Sequence, residues 1–249
     1  MLKFASAAVA GLLVASAASA QSADPTNWAG PYVGIHGGYG FDSGDKISNQ
    51  GFTANNLNAI ATGVRASQYN QNRGGALGGG QVGFNLQSGG LVYGVEGDFS
   101  YMDQRGDNAR SDYFGTDGRR TRVQSGLDWM GSARARVGYS LGRGLIYATG
   151  GYAFGRVKGN AEFNAPDLSV NYFGRHKYTA QGWTAGGGLE FRPFTGGSMD
   201  KVSFRLETSY YDLGKSSIYA LQTSTQPGYY RLGVDTKGYN AKFGINYAF

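Results

Sequence analysis

Few side chains in this sequence have the types and spacing that site chemistry requires. Cysteine is absent, which excludes a thiolate nucleophile, a thiolate metal site and a disulfide framework. The histidines are His36 and His176, and a metal site needs more ligands than two isolated imidazoles supply. Gly214-Lys215-Ser216 has the ending of a phosphate-binding loop, but Ser209 stands where that loop needs its first glycine and no helical pattern follows. The remaining chemistry is charge. Glu96, Asp98, Arg134, Arg136, Glu190, Arg192, Arg205, Glu207 and Lys242 each sit in an alternating stretch. Basic residues gather separately at Arg119, Arg120, Arg122, Arg175 and Lys177, with Lys158, Lys215 and Lys237 in similar polar surroundings. What these groups do depends on the elements that hold them.

Composition narrows those elements. The chain has 249 residues with 43 glycines, 18 tyrosines, 14 phenylalanines and only 5 prolines. Glycine at this level without a three-residue repeat excludes collagen, and disordered low-complexity chains lack so many aromatics. The net charge of +6 is scattered among acids, without the basic stripe of a nucleic-acid binder. Aromatic-rich, glycine-rich and cysteine-free composition fits a membrane barrel, with large rings at the interfaces and small residues in turns and a crowded interior.

Residues 1–20 read as a secretory signal. Met1-Leu2-Lys3 is a short basic start, Phe4 to Ala17 a small-apolar run, and Ala18-Ser19-Ala20 places small residues at Ala18 and Ala20 of a cleavage site. The barrel domain is then expected over residues 21–249. No later stretch is long and apolar enough for a spanning helix, and only a closed barrel crosses lipid without one, because every backbone group must find a partner inside the structure.

Period-two alternation supplies the strands. Tyr239, Ala241, Phe243, Ile245, Tyr247 and Phe249 share one face against Asn240, Lys242, Gly244 and Asn246. Val202, Phe204, Leu206 and Tyr210 likewise oppose Ser203, Arg205, Glu207 and Ser209. A helix cannot give this period over such a length. Similar stretches begin near Val33, Ala76, Leu91, Trp129 and Trp183. Over Leu145 to Val157 the apolar parity changes near Gly150-Gly151, which predicts a glycine-linked bulge. Short links at 88–90, 141–144 and 193–200 alternate with long polar links at 41–74, 103–122, 158–177 and 215–235. The expected fold is all-β: an eight-stranded antiparallel transmembrane β-barrel with short periplasmic turns and long extracellular loops. Tyr93, Tyr139, Phe191, Tyr247 and Phe249 belong to one aromatic belt, and Tyr101, Trp129, Trp183, Tyr210 and Tyr239 to the other.

Short motifs distributed over these strands carry a resemblance. They are Trp28-Ala29-Gly30-Pro31-Tyr32-Val33-Gly34, Gly79-Gly80-Gln81-Val82-Gly83-Phe84-Asn85, Gly131-Ser132-Ala133-Arg134-Ala135-Arg136-Val137-Gly138-Tyr139, Gly182-Trp183-Thr184-Ala185-Gly186 and Tyr210-Tyr211-Asp212-Leu213-Gly214. Together they resemble the OmpA-like outer-membrane β-barrel family, in particular its RopB-like branch of small Gram-negative surface proteins. The resemblance covers nearly the whole chain after residue 20. It implies a largely structural barrel in the outer membrane, and recognition of Phe243, Ile245, Tyr247 and Phe249 by the barrel-insertion machinery. The chain departs from OmpA itself in stopping at Phe249, so peptidoglycan tethering is not implied. Some relatives bind haem, but no His-rich loop is present here, and no cofactor is expected.

Barrel parity turns the charged residues inward, where a narrow lumen forces them to pair. They are expected to plug the barrel; the alternative is a gate for a narrow small-solute or ion channel. Arg119, Arg120, Arg122, Arg175 and Lys177 are candidates for contact with lipopolysaccharide, since guanidinium groups suit phosphate oxygens. A lipid-modifying enzyme is a further alternative, but no adjacent His/Ser pair at a lipid-facing strand end supports one. The expected function is a structural, surface-exposed barrel that stabilises the outer membrane and presents loops to lipopolysaccharide, host or phage. Oligomeric state and loop ligand stay open at this stage.

Overall fold

The computed structural model describes residues 26–42, 46–70, 73–103, 110–114, 118–164, 170–222 and 228–249. The signal segment, with Ala18 and Ala20, lies outside them. In chain order the elements are β1 (Gly30–Asp42), β2 (Lys46–Gly51), α1 (Ala54–Ala61), β3 (Gln68–Asn70), β4 (Gly74–Ser88), β5 (Leu91–Met102), β6 (Arg110–Phe114), β7 (Arg120–Leu141), β8 (Gly144–Asn164), β9 (Val170–Phe191), β10 (Val202–Gln222) and β11 (Tyr229–Ala248).

Eight of these strands form a closed antiparallel ring in the order β1, β4, β5, β7, β8, β9, β10, β11, with β11 returning to β1. Closure is visible at Ile35, which lies opposite Gly80 of β4 on one side and Ile245 of β11 on the other. No strand edge remains in the ring, which is what a lipid environment demands of backbone hydrogen bonds. The β4–β5 and β7–β8 turns each use a glycine at positive φ, Gly89 at 58° and Gly142 at 69°, a conformation that a side chain disfavours. The remaining three strands, with α1, belong to a head above the ring's long-loop end. There β2 pairs β11, β3 pairs β2, and β6 pairs β7.

Two expectations are corrected here. The links at 158–177 and 215–235 are not simply polar loops, because β8, β9, β10 and β11 continue through most of them. Inside these extensions Val123, Ala161, Phe163, Ile218, Ala220, Leu232 and Val234 form a buried apolar cluster with Ile47, Tyr69 and Tyr230. The predicted bulge at Gly150-Gly151 is also absent. There β8 keeps continuous register with β7 and β9, so Leu145 and Tyr147 point inward while Ile146, Tyr152 and Phe154 point outward. The bulge lies on the neighbouring strand, between Leu127 and Trp129, at Asp128.

That bulge has a purpose visible in the alternation. Apart from the inward Met130, the large apolar residues of β7 occupy odd positions: Val123 and Leu127 are buried, whereas Val137 and Tyr139 are exposed on the outer wall. One extra residue reverses which face the odd positions take. Below Asp128, β7 turns Val137 and Tyr139 outward and Arg134 and Arg136 inward; above it, β7 turns Arg122 and Gln124 outward and Val123 and Leu127 inward. A second register shift on β10, between Asp212 and Lys215, serves the same level of the wall.

Aromatic contacts mark where the inversion occurs. Trp129 lies between Phe99 and Phe154, with ring centroids 5.6 and 6.0 Å away. On the other side, Trp183, Tyr210, Tyr239 and Phe41 follow one another at 5.3, 5.1 and 5.7 Å. These rings form the belt at the base of the head.

Candidate functional site: a charged lumen beneath a basic outer groove

The central charges converge. Glu96 on β5 accepts from Arg134 on β7 and from both terminal nitrogens of Arg205 on β10, the Nη2–Oε1 bond being 2.9 Å. Glu207 accepts from Arg134 at 2.8 Å, from Arg205, and from the Tyr147 hydroxyl at 3.0 Å. Arg136 donates to Glu190 at 2.5 Å, and Ser203 and Asn246 donate to the other Glu190 oxygen at 2.5 and 2.8 Å. Lys242 donates to Asp98 at 2.6 Å, and Ser132 donates to the second Asp98 oxygen. The network balances: Glu96, Asp98, Glu190 and Glu207 against Arg134, Arg136, Arg205 and Lys242. All eight are buried. A charge in this setting is tolerated only with such pairing.

Arg192, expected among the lumen charges, lies apart from them. It follows β9 at the short-turn end, where its guanidinium sits 4.2 Å from the Trp28 ring centre and donates to the Asn27 carbonyl at 2.8 Å. Trp28 in turn donates from Nε1 to the Gly142 carbonyl at 3.1 Å and packs with Val92, Leu145 and Tyr147. These contacts lie across the short-turn end of the barrel.

Sequence reading missed the tyrosines. Tyr32 donates to Glu96 at 2.6 Å. Tyr147 places its ring 3.8 Å from the Arg136 guanidinium and 5.3 Å from that of Arg205. The parity of Tyr32 with His36 was available as a signal. For Tyr147 the assumed bulge concealed it. His36 belongs to the same polar interior, with Nδ1 2.5 Å from the Gln81 amide oxygen and Nε2 2.8 Å from the Ser100 hydroxyl.

A void of about 10 Å³ is lined by His36, Gln81, Asp98, Arg134, Arg205, Glu207 and Lys242, at the lower limit for one water molecule. Above it Leu77, Met102, Leu127, Met130, Val157, Tyr211 and Leu213 form an apolar layer, and the head cluster follows. Arg65 ties the segment after α1 to the head: it donates to the Arg120 carbonyl at 2.7 Å, the Thr121 hydroxyl at 2.9 Å and the Asn164 carbonyl at 2.7 Å. Asn56 of α1 donates to the Tyr229 carbonyl at 3.2 Å, and Phe52 stacks on Tyr229 at 4.4 Å.

The proposed lipid-contact residues separate. Arg175 and Lys177 are exposed together on the outer face of β9 and line a groove of about 350 Å³ with Gln124, Gly126, Lys158 and Asn160. Arg122 stands beside that groove on β7, 3.9 Å from Glu162. Arg120 lies higher, opposite Phe114 of β6. Arg119 has the inward parity and acts electrostatically on Tyr230 in the head interior. The four residues of the expected insertion signal, Phe243, Ile245, Tyr247 and Phe249, are all exposed on the outer wall.

Comparison with known proteins agrees with this geometry. The profile described as outer membrane protein beta-barrel domain matches residues 10–249. The chain is 31% identical over 258 residues to the 31 kDa outer-membrane immunogenic protein of Brucella melitensis, covering 99% of this chain and 95% of that one. It is 33% identical over 171 residues to the 22 kDa outer membrane protein of Rhizobium leguminosarum, covering 68% and 66%. Among solved structures, OprG of Pseudomonas aeruginosa shares the fold with a TM-score of 0.50 at 10% identity, covering 89% of this chain and 96% of that one. A ring of eight strands, an apolar outer wall between aromatic belts and these relatives lead to one conclusion: the chain belongs to the outer membrane protein beta-barrel domain family and resides in the Gram-negative outer membrane.

Proposed function

We propose that this protein is a structural, surface-exposed barrel whose sealed body stabilises the outer membrane and whose packed head presents contacts to the outside. The observation that carries the reading is the bridge from Arg205 to Glu96 through the lumen, with only about 10 Å³ of void beside it. A conducting pore needs a continuous aqueous path, and the apolar layers above and below this bridge oppose one. Charges balanced in place serve as a plug rather than a gate. That relatives are named as immunogenic proteins accords with a head exposed at the cell surface. Insertion is read as depending on Phe249 and the outward residues before it, so deleting Phe249 should lower membrane yields.

Planar-bilayer recording on refolded protein tests the reading. The expected result is no steady conductance. A steady open current that collapses when Arg134 or Arg205 is changed would establish the channel instead.

A further inference from the structure

We propose that the groove on the outer face of β7, β8 and β9 binds the phosphate-bearing headgroup of an outer-leaflet glycolipid. The inference rests on the membrane orientation of the barrel and not on whether its lumen conducts.

Position comes first. Arg156 lies on β8 two residues above Phe154 of the aromatic belt, and Lys158 lies four above it. On β9, opposite Lys158, Lys177 is six residues above Trp183. With a strand rise of about 3.3 Å and a tilt of about 40°, Arg156 stands roughly 5 Å above the belt, Lys177 roughly 15 Å and Arg175 roughly 20 Å. That interval lies outside the hydrocarbon core, on the headgroup and water side of the belt.

Charge comes second. Lys158, Arg175 and Lys177 share the groove, with Arg156 below and Arg122 beside them. Their acidic neighbours are already engaged: Asp128 pairs with Lys158, and Glu162 with Arg122. Among the described residues, no carboxylate lies within ion-pair distance of Arg175 or Lys177. Two exposed cations therefore project from one strand without an acidic partner among the described residues, and the Arg175 guanidinium lies 5.6 Å from the Phe173 ring centre. A guanidinium offers paired hydrogen bonds to phosphate oxygens, and an ammonium adds a point charge.

Shape comes third. Gly126 adds no side chain to the groove between Lys158 and Gln124, and the Gln124 and Asn160 amides line the same recess. The volume of about 350 Å³ accommodates a phosphorylated sugar rather than a bare ion. Directly beneath, Tyr152 and Trp183 are exposed and Trp129 is half-exposed, giving acyl chains an aromatic shelf. The Arg156 guanidinium lies 5.5 Å from the Trp129 ring centre and links shelf to groove. Apolar tails below and phosphate above describe a glycolipid whose headgroup is an anionic sugar.

The test uses full-length folded protein in a nonionic detergent. Binding is measured by native mass spectrometry for bisphosphorylated lipid A, its dephosphorylated form, phosphatidylglycerol and inorganic phosphate. Wild type should prefer bisphosphorylated lipid A, and the double variant Arg175→Gln/Lys177→Gln should bind it at least about tenfold more weakly. A control on another face, Lys215→Gln/Arg231→Gln, should bind as wild type does. Heat-modifiable gel mobility confirms that each exposed substitution leaves the barrel folded. Undiminished binding by the groove variant would overturn the site. Equal binding of dephosphorylated lipid A, of phosphatidylglycerol or of inorganic phosphate alone would overturn the assigned ligand. Conductance is measured separately, so failure here leaves the sealed-barrel reading distinguishable.

Discussion

Arg205 on β10 and Glu96 on β5 stand four strands apart in either direction round the ring, yet they are hydrogen-bonded to each other through the lumen. The bridge spans the full interior. Both residues also bond to neighbours, Arg205 to Glu207 and Glu96 to Arg134 and Tyr32, so opposite walls are held by one polar unit. The arrangement couples barrel closure to charge pairing.

Glu96→Ala should therefore destabilise the barrel strongly. It leaves Arg134 and Arg205 buried with fewer partners, and breaking one side of a buried pair costs about 3–5 kcal/mol. The midpoint for loss of heat-modifiable mobility should fall well below that of wild type. A midpoint within experimental scatter of wild type would contradict the bridging role.

Deleting Asp128 should prevent assembly, whereas Asp128→Asn should not. The deletion removes the extra residue that reverses parity on β7, driving either Val123 and Leu127 outward or Ala135 and Val137 inward. The substitution keeps the register and removes the charge that pairs with Lys158. The readout is the yield of folded protein in membranes.

Arg65→Ala should loosen the head without unfolding the ring. Hydrogen bonds from one buried guanidinium to the Arg120 and Asn164 carbonyls and the Thr121 hydroxyl fasten the segment after α1 to the head, each such bond contributing on the order of 1.5–3 kcal/mol. Limited proteolysis should cut within residues 52–70 of the variant while the strands stay protected. Unchanged protection of that segment would argue against the anchor.

Alkaline pH should open the same region. Burial is the main cause pushing the Tyr69 phenol from 10 to about 12, and it also raises that of Tyr230. A raised folded-state value favours the neutral phenol in the packed head. The stability it contributes is fully present below pH 10 and is lost as pH rises through about 12. Protease sensitivity of the head should increase across that window, and Tyr69→Phe should reduce the pH-dependent part.

The sequence by itself determined the wall of this protein. Period-two alternation in Val202 to Tyr210 and Tyr239 to Phe249 fixed strands with one apolar face, and the lack of a long apolar helix left a closed ring as their only membrane-spanning form. Inward charge at Glu96, Arg134, Arg205 and Glu207 followed from the same parity. Tertiary structure decided what parity cannot express. Alternation says which residues share a face, but not whether that face meets lipid or interior once a bulge intervenes, so the extensions holding Ile218, Leu232 and Val234 read as polar links. Which acid meets which base, and the separation of Arg192 and Arg119 from their expected partners, depended on ring closure. Closure brings β5 opposite β10, and the register of β8 against β9 sets Lys158 beside Lys177. Such contacts join residues far apart in the chain, and no local pattern encodes their distance.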